Sequence, residues 1–68
     1  MRNGVKYPEI HVQLIGYDSN AFVILSRCLE AMHKAGLSQE EREAFRKEAT
    51  SGNYDHLLAT CMEWFDVD

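Results

Sequence analysis

The chain is predicted to form a small α+β domain in the order β-α-α-α-β: one N-terminal strand, three helices and a short C-terminal strand. Three observations carry that expectation. Apolar and polar residues alternate from Pro8 to Leu14, three later stretches repeat apolar residues at helical spacing, and capping or breaking residues bound each stretch.

In the strand, Ile10, Val12 and Leu14 point one way and Glu9, His11 and Gln13 the other. Alternation of this kind marks a strand with one buried face. Pro8 suits a strand start or edge, where its missing N–H costs nothing. Residues 1–6 read as a loose start, and Gly16-Tyr17-Asp18 reads as the turn after the strand.

The first helix is expected from Ser19 or Asn20 to Ala35, since Asp18, Ser19 and Asn20 each offer an N-cap oxygen. Ala21, Leu25, Cys28, Leu29, Met32 and Ala35 share its apolar face, with Phe22 and Ile24 on the flanks and Val23 outward. Gly36 fits the left-handed position after the helix, which lets Leu37 fold back on Met32. Ser38-Gln39-Glu40-Glu41 is a capping box that opens a second helix over 39–50. That helix is charged on most sides and is pinned by Phe45, with Ala44 and Ala49 as its other apolar residues. The third helix starts from Asn53 as cap and presents Tyr54, Leu57, Leu58, Cys61, Met62 and Phe65 at helical intervals. Phe65-Asp66-Val67-Asp68 then straightens into a second strand beside residues 10–15.

At 68 residues the chain is read as a single domain spanning 1–68. Domains near this size bury only about 60% of the surface that their unfolded chains expose. A hydrophobic content of 46% with 26% charged residues fits a globular chain rather than a disordered one. No apolar run approaches the roughly 20 residues of a membrane span, and Met1-Arg2-Asn3-Gly4 lacks the apolar stretch of a signal peptide. The expected location is therefore cytoplasmic. Eleven acidic residues against seven basic ones give a formal net charge of −4. The basic residues are interleaved with acids, as in Arg42, Glu43, Arg46, Lys47 and Glu48, so direct nucleic-acid binding is disfavoured. A protein partner with a basic surface fits better. A two-strand sheet leaves an open edge, which makes a homodimer the expected assembly.

Cys28, Cys61, His11, His33 and His56 supply the raw material for a metal or thiol site. Cys28–His33 and His56–Cys61 are each five residues apart, about 140° around a helix, so their side chains diverge. There is no C-x-x-C or H-x-x-x-H, and no cofactor or metal is expected. Both cysteines fall on apolar stripes and are expected to pack reduced in the core, a disulfide being the alternative. Cys61 with His56 or His11 has the composition of a nucleophile and base, yet Cys61 sits mid-stripe between Leu58 and Met62. Asp55 and His56 point about 100° apart as helix neighbours, and no glycine pattern cradles a phosphate. The candidate partner surface is the acidic C-terminal edge of Glu63, Asp66 and Asp68 beside Trp64, together with Glu40 and Glu43. Trp64 either closes the core, the first reading, or anchors the partner.

Two segments also carry a resemblance. Gly16-Tyr17-Asp18-Ser19-Asn20-Ala21-Phe22 with Ile24-Leu25, and Ser51-Gly52-Asn53-Tyr54-Asp55-His56-Leu57-Leu58, resemble a family of small hypothetical proteins of bacteria, phages and other mobile elements. In that family a strand ends in Gly-x-Asp-Gly-Asn-Ala-Phe, and a later helix opens with Ser-Gly-Asp-Tyr-Asp-His-Leu-Leu. Ser19 stands where the family commonly has Gly, and Asn53 where it commonly has Asp; both fit a turn or an N-cap. The resemblance covers residues 10–67 and implies a prokaryotic or viral setting. It assigns no catalytic residues.

The function expected from these readings is a non-enzymatic, acidic protein-binding module of phage or mobile-element type. Its most concrete version is an anti-CRISPR-like inhibitor of a host defence or regulatory protein. The alternatives are a small metal- or thiol-dependent enzyme built on Cys28, Cys61 and the histidines, or a purely self-associating structural subunit.

Overall fold

A computed structural model describes residues 4–14 and 20–68. The order of elements is β1 (Tyr7–Val12), α1 (Ala21–Lys34), α2 (Gln39–Ala49), α3 (Tyr54–Trp64) and β2 (Phe65–Val67), a small α+β domain of the predicted β-α-α-α-β order. The turn expected at Gly16-Tyr17-Asp18 and the candidate cap Ser19 lie outside the described residues.

Each helix begins and ends where local chemistry dictates. The Asn20 side chain accepts from the Phe22 amide and caps α1. At the other end Gly36 has φ +86°, the Gly36 amide donates to the His33 carbonyl, and the Leu37 amide donates to that of Met32. This is a Schellman motif, and glycine reaches its left-handed position without the Cβ clash that other residues meet. One residue later Ser38 opens α2 with both bonds of the capping box in place. Asn53 caps α3 by accepting from the His56 amide.

The two strands run parallel, with Tyr7 opposite Phe65, His11 opposite Asp66 and Val12 opposite Val67. The second strand therefore lies beside residues 7–12, beginning earlier than the expected 10–15, and its end is fixed by paired backbone bonds of Asp68 with Val12 and Leu14. The ladder is irregular between Tyr7 and His11, the interval that holds Pro8. Proline has no amide to give to a ladder, so an irregular stretch accommodates it. Lys6, just before the strand, donates its amide to the Glu63 carbonyl and sets its ammonium 4.2 Å above the Trp64 ring.

The core gathers Ile10 and Val12 from β1, Ile24, Cys28 and Met32 from α1, Phe45 and Ala49 from α2, Leu57, Cys61 and Trp64 from α3, and Phe65. Phe45, Trp64 and Phe65 form an aromatic cluster joined by Tyr7, with ring centroids 5.1–6.4 Å apart. Several expected faces are rotated. On α1 the buried line is Ile24, Cys28 and Met32, four residues apart, whereas Ala21 and Ala35 are exposed, Phe22 is 79% exposed, and Val23 is partly buried rather than outward. Ala44 of α2 is also exposed. On α3 Thr60 and Trp64 turn inward, while Met62 and Tyr54 turn to solvent. Burial of Thr60 is inexpensive because its hydroxyl donates to the His56 carbonyl of its own helix. Among the described residues no helix is long and apolar enough to cross a membrane.

One long-range tie joins β1 to α2. The Glu41 carboxylate accepts from the Ser38 amide at 2.9 Å and from the Tyr7 hydroxyl at 3.0 Å. These bonds, the Ser38 amide first, hold the Glu41 carboxyl below the ordinary glutamate range. A carboxyl lowered by folding stabilises above its unfolded range and loses that contribution as pH falls through its folded value. Glu41→Ala is therefore expected to lower the urea midpoint at neutral pH, with the gap to wild type closing on acidification. Parallel midpoint curves from pH 7 to pH 3 would remove Glu41 from this role.

Candidate functional site

Three arrangements bring chemically capable side chains together. The first is the thiol pair. Cys28 from the middle of α1 and Cys61 from α3 are both fully buried, with their sulfurs 3.4 Å apart in a weak S–H···S hydrogen bond. That bond and then burial push the Cys28 thiol well above its ordinary range, whereas accepting from Cys28 pulls the Cys61 thiol down. Neither candidate base is engaged with Cys61. His11 sets Nδ1 3.2 Å from Asp66 and Nε2 3.2 Å from Asp68, and His56 turns to the end of α2. His33 is exposed in the last turn of α1. Among the described residues no three His, Cys, Asp or Glu side chains are grouped as a metal site would require.

The second arrangement, Ser51, His56 and Glu48, has the composition of a hydrolytic triad and was not legible from spacing alone. Ser51 Oγ lies 3.1 Å from His56 Nε2, and Glu48 Oε2 lies 3.2 Å from the same nitrogen. A triad needs the acid on the opposite ring nitrogen, so that it orients the base. Ser51 Oγ also donates to the Glu48 carbonyl at 2.7 Å, so it meets Nε2 as an acceptor. Nε2 then carries the proton and has no lone pair with which to activate the serine. The cluster instead converges on one carbonyl in the last turn of α2, that of Glu48, which accepts from Ser51 Oγ and from His56 Nε2 at 3.0 Å. Gly52 makes room for it, because a Cβ there would stand 2.9 Å from His56 Cβ.

The third is an apolar groove of about 260 Å³ where the N-termini of α1 and α3 meet the C-terminus of α2. Phe22, Leu25, Tyr54 and Leu57 provide its large side chains. Phe22, at 79% exposure, leaves its ring open to solvent, and Tyr54 is 39% exposed. Isolated exposed apolar side chains are ordinary; here two of them, Phe22 and Tyr54, border one groove.

The acidic residues expected to form a partner surface are dispersed over different elements. Glu40 and Glu43 lie on the outer face of α2 together with Lys47, and Arg46 binds Glu43 at 2.7 Å. Glu63 is exposed near the end of α3, and Asp66 and Asp68 both face His11. Trp64, beside them in sequence, is 9% exposed and packs into the aromatic cluster. Compared with protein-family models, curated proteins and solved structures, the chain matches none.

Proposed function

We propose that the chain is a non-enzymatic binding module that works through a protein partner and receives it at the Phe22–Tyr54 groove. One observation carries this reading. The two segments that bear the family resemblance, distant in sequence, converge there: Ala21, Phe22 and Leu25 come from the first, and Gly52, Asn53, Tyr54 and Leu57 from the second. The groove is somewhat smaller than the roughly 300–1,000 Å³ of small-molecule sites and suits one or two inserted side chains of a partner. The resemblance supports a phage or mobile-element setting in the cytoplasm. The concrete form of the proposal is an inhibitor of a host defence or regulatory protein.

A second reading, self-association, is favoured by the sheet. Among the described residues the sheet has only two strands, and the open Phe22 ring supplies an apolar contact for a second copy.

Tagged wild type, Phe22→Ser and a Glu40→Gln/Glu43→Gln/Glu63→Gln variant, passed through bacterial lysate at two salt concentrations, test the proposal. Wild type is expected to retain one protein stoichiometrically at both salts. Phe22→Ser should weaken retention at least about 30-fold, the loss typical of a central aromatic contact. Its own stability should stay within about 0.5 kcal/mol, because Phe22 is a surface side chain. Retention unchanged in Phe22→Ser but lost with salt and in the glutamine variant would move the contact to the acidic residues. Recovery of the chain alone, as a dimer that Phe22→Ser dissolves, would establish the self-association reading.

A further inference from the structure

We propose that Cys28 and Cys61 are an oxidation site: hydrogen peroxide converts the reduced pair into an intramolecular disulfide that staples α1 to α3. The geometry is unusual for two core thiols. Their sulfurs already touch at 3.4 Å, held by a hydrogen bond across the α1–α3 contact. Closure from 3.4 Å to the roughly 2.05 Å of a disulfide asks for a further approach of little more than 1 Å. Both residues are fully buried and no other cysteine exists in the chain, so within one molecule each thiol has only the other to pair with.

The chemistry balances without a cofactor. The Cys61 thiolate attacks one peroxide oxygen, the O–O bond breaks, and hydroxide leaves to become water, giving a sulfenic acid on Cys61. The Cys28 sulfur then attacks the Cys61 sulfur, the S–O bond breaks, and the departing hydroxide takes up the Cys28 proton as a second water. Two thiols and one peroxide become one disulfide and two waters; both sulfurs are oxidised and both peroxide oxygens reduced. The steps balance equally with the roles of Cys61 and Cys28 exchanged, since either thiol can donate to the other across the 3.4 Å contact. Burial sets the rate. Peroxide reaches the pair only when the α1–α3 contact opens locally, so the reduced form persists at low oxidant and the disulfide forms slowly. Once formed, it closes a segment across 33 positions of sequence separation, long enough to restrict the unfolded chain substantially.

The test is intact-mass analysis of native protein after hydrogen peroxide, in buffer and in urea below the unfolding midpoint, with Cys61→Ser alongside. The expected product is a monomer lighter by about 2 Da, the two thiol hydrogens, formed faster in urea and restored by dithiothreitol. Peptide mapping should join a segment of α1 to a segment of α3, and the variant should give no such species. The melting temperature of the oxidised form should rise by on the order of 10 °C. Thiols that stay reduced in both conditions, sulfinic acids heavier by about 32 Da each, or covalent dimers in place of the monomer would overturn the proposal. A disulfide that forms yet lowers the melting temperature would overturn the staple.

Discussion

Phe45→Ala is expected to leave the protein largely unfolded at 25 °C. Phe45 is fully buried, lies 5.3 Å from the Trp64 ring and 5.1 Å from that of Phe65, and with Ala49 makes up the entire buried face of α2. Removing a buried phenylalanine costs about 3–5 kcal/mol through lost transfer energy and the cavity left behind. The folding margin of a domain this small is also roughly 3–5 kcal/mol. The two quantities are equal within their spread, so the variant sits at or below its midpoint in water. Circular dichroism in a urea series measures it. A full native baseline with a midpoint close to wild type would mean that α2 is held by something other than this ring.

Trp64→Ala is expected to be comparably destabilising, about 3–5 kcal/mol. The result separates the two roles that the sequence leaves open for this residue. Its ring is packed between Tyr7, Phe45 and Phe65 and lies under the Lys6 ammonium. A side chain engaged in this way is felt in folding. One that served as a partner anchor would leave the urea midpoint unchanged and alter binding alone, and that outcome would refute the core role. Because Trp64 and Phe45 touch, the costs of the two alanine variants should not add.

The parts of the fold that were legible in the sequence are those written in local chemistry. Asn20, Ser38 with Glu41, and Asn53 mark helix starts through bonds reaching only two or three residues, and Gly36 marks a stop through its own backbone freedom. Helix faces were less legible, because periodicity admits neighbouring stripes. On α3 the set through Tyr54, Leu58 and Met62 and the set through Thr60 and Trp64 both share Leu57 and Cys61, and the position of α1 and α2 selects the second. Thr60 looks polar in the sequence because its bond to the His56 carbonyl belongs to the folded helix. Alanines such as Ala21, Ala35 and Ala44 fit either side, having little area to bury. The groove and the Ser51–His56–Glu48 cluster were illegible for a different reason. Each assembles side chains across the break between α2 and α3, and no spacing rule within one element describes that junction.

The parallel pairing of β1 and β2 makes the chain a closed ring in all but covalent terms. His11 and Asp66 meet across 55 positions of sequence separation, and every helix lies inside the loop so formed. Bringing the ends of such a loop together costs about 3.5 kcal/mol of chain entropy on the logarithmic scaling of loop closure. The short ladder does not recover that cost unaided; the helices filling the loop do, by burying the apolar faces of both strands. Sheet and helices are therefore one cooperative unit, in which the ladder is the clasp and the core is the reason that it stays shut.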